Sequence, residues 1–487
     1  MDEQLLEQLT CALNAERYAE AAGLPSDQPR MVRLAAELEA IFQQAVREPS
    51  CRDLALDSLA EALALEPTQR LDLEREARLV YPGLTVEGEA AAWHNWKRVQ
   101  RALADRQDLR RLFAVFVEQS EALTPLIRER YAGRRQLYEQ YGTTPLETFA
   151  RREGTTPESL RRLTVQVGDA CREPFRLVLA HMAKQVFGSG EVTAAEMHAL
   201  YLNRMYEPLA PLFAARDALA DIRVAFGRLG FSISAISLDF EDRPQKYAGA
   251  FCFPVQTPGD VRISVRPASP HHVADMLFHE FGHAVHFSGI DPALPFADRY
   301  WIHSGTHETF ATLFESWLGL PGFLRTALGF DEAAARKLVA FDQFKSLITG
   351  TWLAAAGAAV CDAWLDGLSW DQVEERLAEH LDRFTGLRVP PGWARLEQFV
   401  NNLDPYPLGY VVAAVRVAHW RQALEADYGA EWWADYRAGE AISAKIRQGG
   451  AVRFEREWLD PMPFLRQFPG PQTPASGATA RAEVHSQ

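Results

Sequence analysis

Through almost all of residues 1–230, apolar residues recur at three- and four-residue spacing. That period commits this half of the chain to amphipathic helix before any motif is considered. It is clearest in "SLAEALALEPTQRLDLEREARLV" and in "RALADRQDLRRLFAVFVEQSEALTPLIRERYAGRRQLYEQYG". Punctuation falls at "GLPSDQP", "YPGLT", "YGTTP", "REGTTP" and "GSGE". In "TTPLETF" and "TTPESL" a threonine stands ready to cap and a proline occupies the first turn, so both predict helix starts.

The period changes near 231. "FSISAISLDF", "AGAFCFPV" and "VRISVR" are short alternating runs of β-branched and aromatic residues, the last two joined by the turn signal "QTPGD". They predict a small antiparallel sheet ending in a hairpin. Helical spacing returns at 271 and lasts to about 467. The expected fold is therefore mainly α, with a helical N-terminal part (1–230), a second part (231–467) and a small, polar, Pro-rich tail (468–487) that reads as disordered.

"HEFGHAVH" (279–286) lies in the second part, just after helical spacing returns. On a helix, His279 and His283 lie one turn apart on one face and can aim two imidazoles at one point. Glu280 sits about 100° further round, placed to reach a water at that point rather than to join the ligands. Apolar neighbours in "ADMLFHEFGHAVHF" put the pair inside protein, where a polar group needs a partner. A catalytic zinc requires a third protein ligand and an open position. "HETFATLFESW" (307–317) offers Glu308 and, two turns later, Glu315. Either could bind the metal while the other holds a ligand histidine from behind. His286 shares the face of His283 and reads as structural. His271, His272, His303 and His307 read as cleft-lining or capping residues, with His303 or His307 the candidates for touching substrate.

Composition narrows the classes. Net charge is −14 without a basic stripe, which excludes a nucleic-acid surface. Five scattered cysteines, Cys11, Cys51, Cys171, Cys252 and Cys361, without CxxC spacing, fit a reducing cytoplasm better than a disulfide framework. The N-terminus lacks a signal-peptide pattern. "LITGTWLAAAGAAVCDAWL" (347–365), interrupted by Asp362, reads as a buried core helix rather than a membrane span.

Taken together, these stretches resemble the thimet oligopeptidase and oligoendopeptidase F family of zinc metallopeptidases. "HEFGHAVH" is followed by Glu308 twenty-five residues after His283. "DRPQKYAGAFC" (242–252), "ETFATLFESW", "YPLGYVVAAVRVAHW" (406–420) and "RQGGAVRFEREWL" (447–459) are each similar to a family segment. The resemblance covers roughly 230–465. It implies a two-lobed helical clamshell around a deep channel, with the small sheet beside the metal helix. It implies one zinc ion on His279, His283 and Glu308, Glu280 as general base and proton donor, and Glu315 behind a ligand. Tyr406 and Tyr410 fall on tyrosines that can stabilise an oxyanion, Gly409 permits close approach, and the strand containing Gly249 and Ala250 offers an edge to extended peptide. The implied substrates are short unfolded peptides. The chain departs from the family at Gln245, where glycine is usual, near Gln398, where a histidine is usual, and at Ala413, where some members carry tyrosine. Two alternatives use the same site: a metallocarboxypeptidase with Arg416 or Arg395 holding the substrate carboxylate, and a weakly active zinc-containing scaffold that binds peptides.

Overall fold

The computed structural model describes residues 2–468 except 49–51, 87, 104, 203, 244, 248 and 267–269. The tail expected at 468–487 lies outside the described residues apart from Phe468. The N-terminal helical spacing resolves into α1 (Glu3–Ala21), α2 (Gln28–Ala45) and α3 (Arg52–Arg78), the first two capped by the carboxylates of Asp2 and Asp27. Their inward residues Leu6, Leu9, Met31, Leu38, Phe42 and Leu56 form a small core of their own, joined by Tyr138 and Phe296. Both threonine caps form. Thr144 Oγ1 accepts from Glu147 N at 3.1 Å while the Glu147 carboxylate returns to Thr144 N, and Thr156 Oγ1 accepts from Ser159 N at 3.2 Å. They start the helices Pro145–Arg152 and Pro157–Phe187.

Two strands interrupt the part expected to be almost entirely helix. β1 (Val80–Val86) and β2 (Glu89–Ala92) form an antiparallel hairpin whose turn contains Gly88 at φ +85°. The "YPGLT" that reads as helix punctuation is a strand with Pro82 and Gly83 on its exposed stretch. The second sheet also differs from expectation. β3 (Ser237–Asp239), β4 (Ala250–Gln256) and β5 (Asp260–Val265) are arranged β3-β5-β4. The β4–β5 hairpin is antiparallel as expected, but β3 runs parallel to β5, so the sheet is mixed rather than antiparallel. The parallel pairing follows from the connection, since the chain from β3 returns through 240–249 and β4 before β5 lies against β3.

β4 is therefore an edge strand. The helix Pro270–Ser288, which carries the histidine motif, packs on β4 and β5 and against the helix Ser304–Glu315. The main core runs continuously from Leu71 to Phe464 and draws residues from both sides of position 230. The apolar segment near 347–365 is a π-helical turn, Thr349–Leu353, followed by the helix Ala354–Leu365. Together with the preceding helix it is long and apolar enough to cross a membrane, and it lies largely buried inside the fold against Pro157–Phe187. A cavity of about 1190 Å³ is lined by Glu20, Trp96 and His198 as well as by His279, Lys345 and Arg421.

Candidate metal centre

Close helix packing assembles this centre. A Cβ on Gly282 would stand 2.7 Å from Ala311 Cα, a distance real Cβ atoms do not reach, so only glycine lets the motif helix lie this near Ser304–Glu315. One turn before Ala311, Glu308 projects between the two histidines. His279 Nε2 and His283 Nε2 are 3.1 Å apart, and Glu308 Oε2 is 3.4 Å and 3.6 Å from them. Four-coordinate zinc with bonds of 2.0–2.1 Å has ligand atoms about 3.3 Å apart, so three donors already stand at tetrahedral edge lengths. Glu308 is 1% exposed, and its Oε2 is buried without a hydrogen-bond partner. Burial alone would push its carboxyl up, but the imidazoles of His283 and His279 hold it down to about 2. An anionic, orphaned oxygen facing two ring nitrogens is a donor set suited to a divalent cation.

Glu315 does not join the three. Its Oε2 lies 2.8 Å from His279 Nδ1, which puts the proton on Nδ1 and directs the Nε2 lone pair at the centre. Lys345 bonds the other oxygen of Glu315 and also reaches Asp275 at 2.6 Å, one turn before His279. His279, Glu315, Lys345 and Asp275 thus form a connected chain of contacts. His283 has no such support, its Nδ1 being buried without a partner among the described residues.

Glu280 is buried beside the donors and lines the large cavity with His279. Burial, partly offset by His279, pushes its carboxyl up to about 7, and the backbone N–H of Cys252 on β4 donates to it. Tyr406 donates to Glu308 Oε1 at 2.8 Å, and its ring lies 5.4 Å from that of Tyr410. Tyr410 lines the large cavity, whereas Tyr406 lines a smaller polar one with His303 and His307. The two tyrosines therefore stand in different relations to the centre.

Other candidates fall elsewhere. Gly409 is buried in a helix contact, where a Cβ would meet Ser304 Oγ at 2.4 Å, so its close approach is to protein and not to substrate. Gly249 lies against the ring of Tyr247 and Ala250 opens β4, while Tyr247 and Phe251 face the cavity. His286 stacks on Phe310 with centroids 4.2 Å apart, and His271 sits between Phe213 and Phe341. His272 lines the large cavity. Gln398 opens the short helix Gln398–Asn401, and its side chain is outside the described part. Ala413 is fully buried. The two arginines considered for a substrate carboxylate are already engaged: Arg395 forks onto Glu374 at 2.7 and 3.0 Å, and Arg416 is buried against Glu153.

Sequence reasoning missed Asp275, Lys345 and the Cys252 N–H. Lys345 lies thirty residues beyond Glu315 and belongs to no local motif. Gly282 was in view inside the motif, but its packing role needs the partner helix to be seen.

No family model matches the chain, and no curated protein matches it. Among solved structures, one described as PZ peptidase A with inhibitor 2 aligns with a TM-score of 0.61 at 13% identity. The alignment covers 93% of this chain and 84% of that one. At this identity the likeness is one of fold, and that fold is mainly α.

Proposed function

We propose that this chain is a zinc metallopeptidase that hydrolyses internal bonds of short, unfolded peptides. The observation that carries the reading is the convergence of His279, His283 and Glu308 on one point, with the Glu280 carboxylate beside it on the wall of a large cavity. The fold shared with a solved peptidase supports it independently.

Zinc held by these three residues supplies Lewis acidity, which acidifies water and polarises a carbonyl. The remaining chemistry belongs to the chain. Glu280, desolvated and near neutral pKa, takes the proton of the attacking water and hands it to the departing amine. Tyr410, on the cavity side, donates to the oxyanion as the carbonyl becomes tetrahedral. Tyr406 holds Glu308 in place. The edge of β4 accepts extended backbone, a mode of binding that is tolerant of sequence.

Metal analysis combined with turnover of a quenched fluorescent peptide tests this. One zinc per chain, activity lost on chelation and restored by zinc, and a Glu280→Gln variant that keeps metal but loses turnover by orders of magnitude are expected. Full turnover by metal-free protein would overturn the reading.

A further inference from the structure

Four of the chain's twelve tryptophans line the large cavity, and they meet in a row. Trp93 stacks on Trp96 with ring centroids 4.7 Å apart, Trp96 lies 6.4 Å from Trp393, and Trp393 lies 6.4 Å from Trp352. His198 fills the corner, 4.4 Å from Trp96 and 5.0 Å from Trp393. The face of an indole attracts cations more strongly than that of any other side chain, so such a row suits a positive group as well as apolar surface.

The row ends on a carboxylate. Trp352 Nε1 donates to Glu397 Oε2 at 3.0 Å. Three buried acids line this cavity: Asp275, Glu280 and Glu397. Asp275 pairs with Lys345 at 2.6 Å, and Glu280 has the His279 imidazole beside it. Glu397 differs from both. It is 8% exposed, and among the described residues no lysine, arginine or histidine stands within ion-pair distance of it. No positive group acts on its carboxyl, which burial pushes above its ordinary value. A buried carboxylate of this kind calls for a counter-charge that the chain itself does not bring.

Glu397 is also near the chemistry. Phe399, two residues on and lining the same cavity, sets its ring 5.8 Å from that of Tyr410. Tyr201, another lining residue, feels the charge of Glu397 together with those of Lys345 and Glu315 behind His279.

We propose that Glu397 and the tryptophan row form a subsite for a cationic side chain of the substrate, a guanidinium best of all, close to the scissile bond. This rests on the peptidase reading above. A guanidinium is planar and always charged, so it can lie flat on an indole while its edge donates two hydrogen bonds to the carboxylate. The amino terminus of a peptide is a second source of positive charge, and the test separates the two.

The test uses N-acetylated peptides sharing one cleavage site, with arginine, lysine or citrulline placed at each position in turn on either side of it. Citrulline keeps the size and shape of arginine and removes its charge. Binding is read by fluorescence anisotropy on zinc-loaded Glu280→Gln protein, and turnover on the unsubstituted enzyme. At one position arginine is expected to bind roughly tenfold or more tighter than citrulline, with lysine between them. Adding Glu397→Gln, which keeps an acceptor for Trp352, brings arginine down to the affinity of citrulline. A Glu397 that merely supported Trp352 would, when replaced, weaken every peptide alike and leave that ratio unchanged. The arginine-against-citrulline comparison with Glu397 intact stands if the variant fails to fold. Equal affinity of the two at every position overturns the subsite while leaving the peptidase reading intact. An advantage that appears on removing the acetyl group, whatever the side chain, also overturns the side-chain assignment. Arginine preference in binding with no turnover of any peptide supports the subsite and overturns the peptidase reading instead.

Discussion

Glu315 stands behind the ring of His279, with its Oε2 2.8 Å from Nδ1. It fixes both the tautomer and the orientation of that ring, and Lys345 keeps it charged. Substituting Glu315→Gln retains an acceptor but loses the charge that makes the imidazole a better donor to metal. Zinc affinity is expected to fall roughly ten- to a hundredfold, read by chelator competition. The helix stays packed because Lys345 keeps Asp275. An unchanged zinc affinity would show that Glu315 has no hold on the centre.

Gly282 makes a stability prediction and a metal prediction together. An alanine there places its Cβ 2.7 Å from Ala311 Cα and 3.1 Å from Ala311 O, both backbone atoms that cannot turn away. The two helices must separate, at about 1–3 kcal/mol of stability. Glu308 rides on the displaced helix, so zinc affinity falls in the same variant. Urea unfolding and chelator competition read the two effects, and a wild-type urea midpoint would contradict the packing argument.

Tyr406 and Tyr410 are expected to separate kinetically. Tyr410→Phe removes a cavity-facing donor and should lower kcat about a hundredfold with zinc content unchanged. Tyr406→Phe removes the hydrogen bond to Glu308 Oε1, worth about 1 kcal/mol, and should appear first as weaker zinc retention. The opposite pattern would exchange their roles.

The parts of this centre that lie within one helical turn are legible in the sequence. His279, Glu280 and His283 declare themselves because the helix period alone fixes their relative directions. Between Glu308 and Glu315 the residues left the choice open, and it took the fold to bring one among the imidazoles and set the other behind His279. Lys345 and Asp275 were invisible because a lone lysine and a lone aspartate on amphipathic helices look like solvated surface until their burial is known. The β1–β2 hairpin was missed because "YPGLT" carries two turn-favouring residues, which the strand tolerates on an exposed, irregular stretch. The direction of β3 was not readable, since alternation gives a strand its faces but not its partner.

Glu153 shows the same blindness and supplies a pH prediction. It sits in "REGTTP", which reads only as a break between helices, yet its side chain is fully buried against Arg416 and 3.1 Å from His303 Nδ1. Burial would raise its pKa, but Arg416 and His303 outweigh that and hold it down to about 2 from an ordinary value of 4.5. The folded pKa is depressed, so the contribution to stability is complete above the unfolded value and is lost as pH falls from 4.5 through about 2. Metal-free protein removes metal release from the acid profile, and because Glu308 is also held down to about 2, the Glu153 term is the difference between this protein and Glu153→Gln. The urea midpoint of the unsubstituted metal-free chain should drop steeply across that window. Glu153→Gln should begin about 3–5 kcal/mol less stable at neutral pH, because Arg416 is left buried without its counter-charge. The variant should then lose less on acidification than the unsubstituted chain. Parallel acid profiles for the two proteins would mean that Glu153 titrates alike folded and unfolded, and that the buried pair does not hold these segments together.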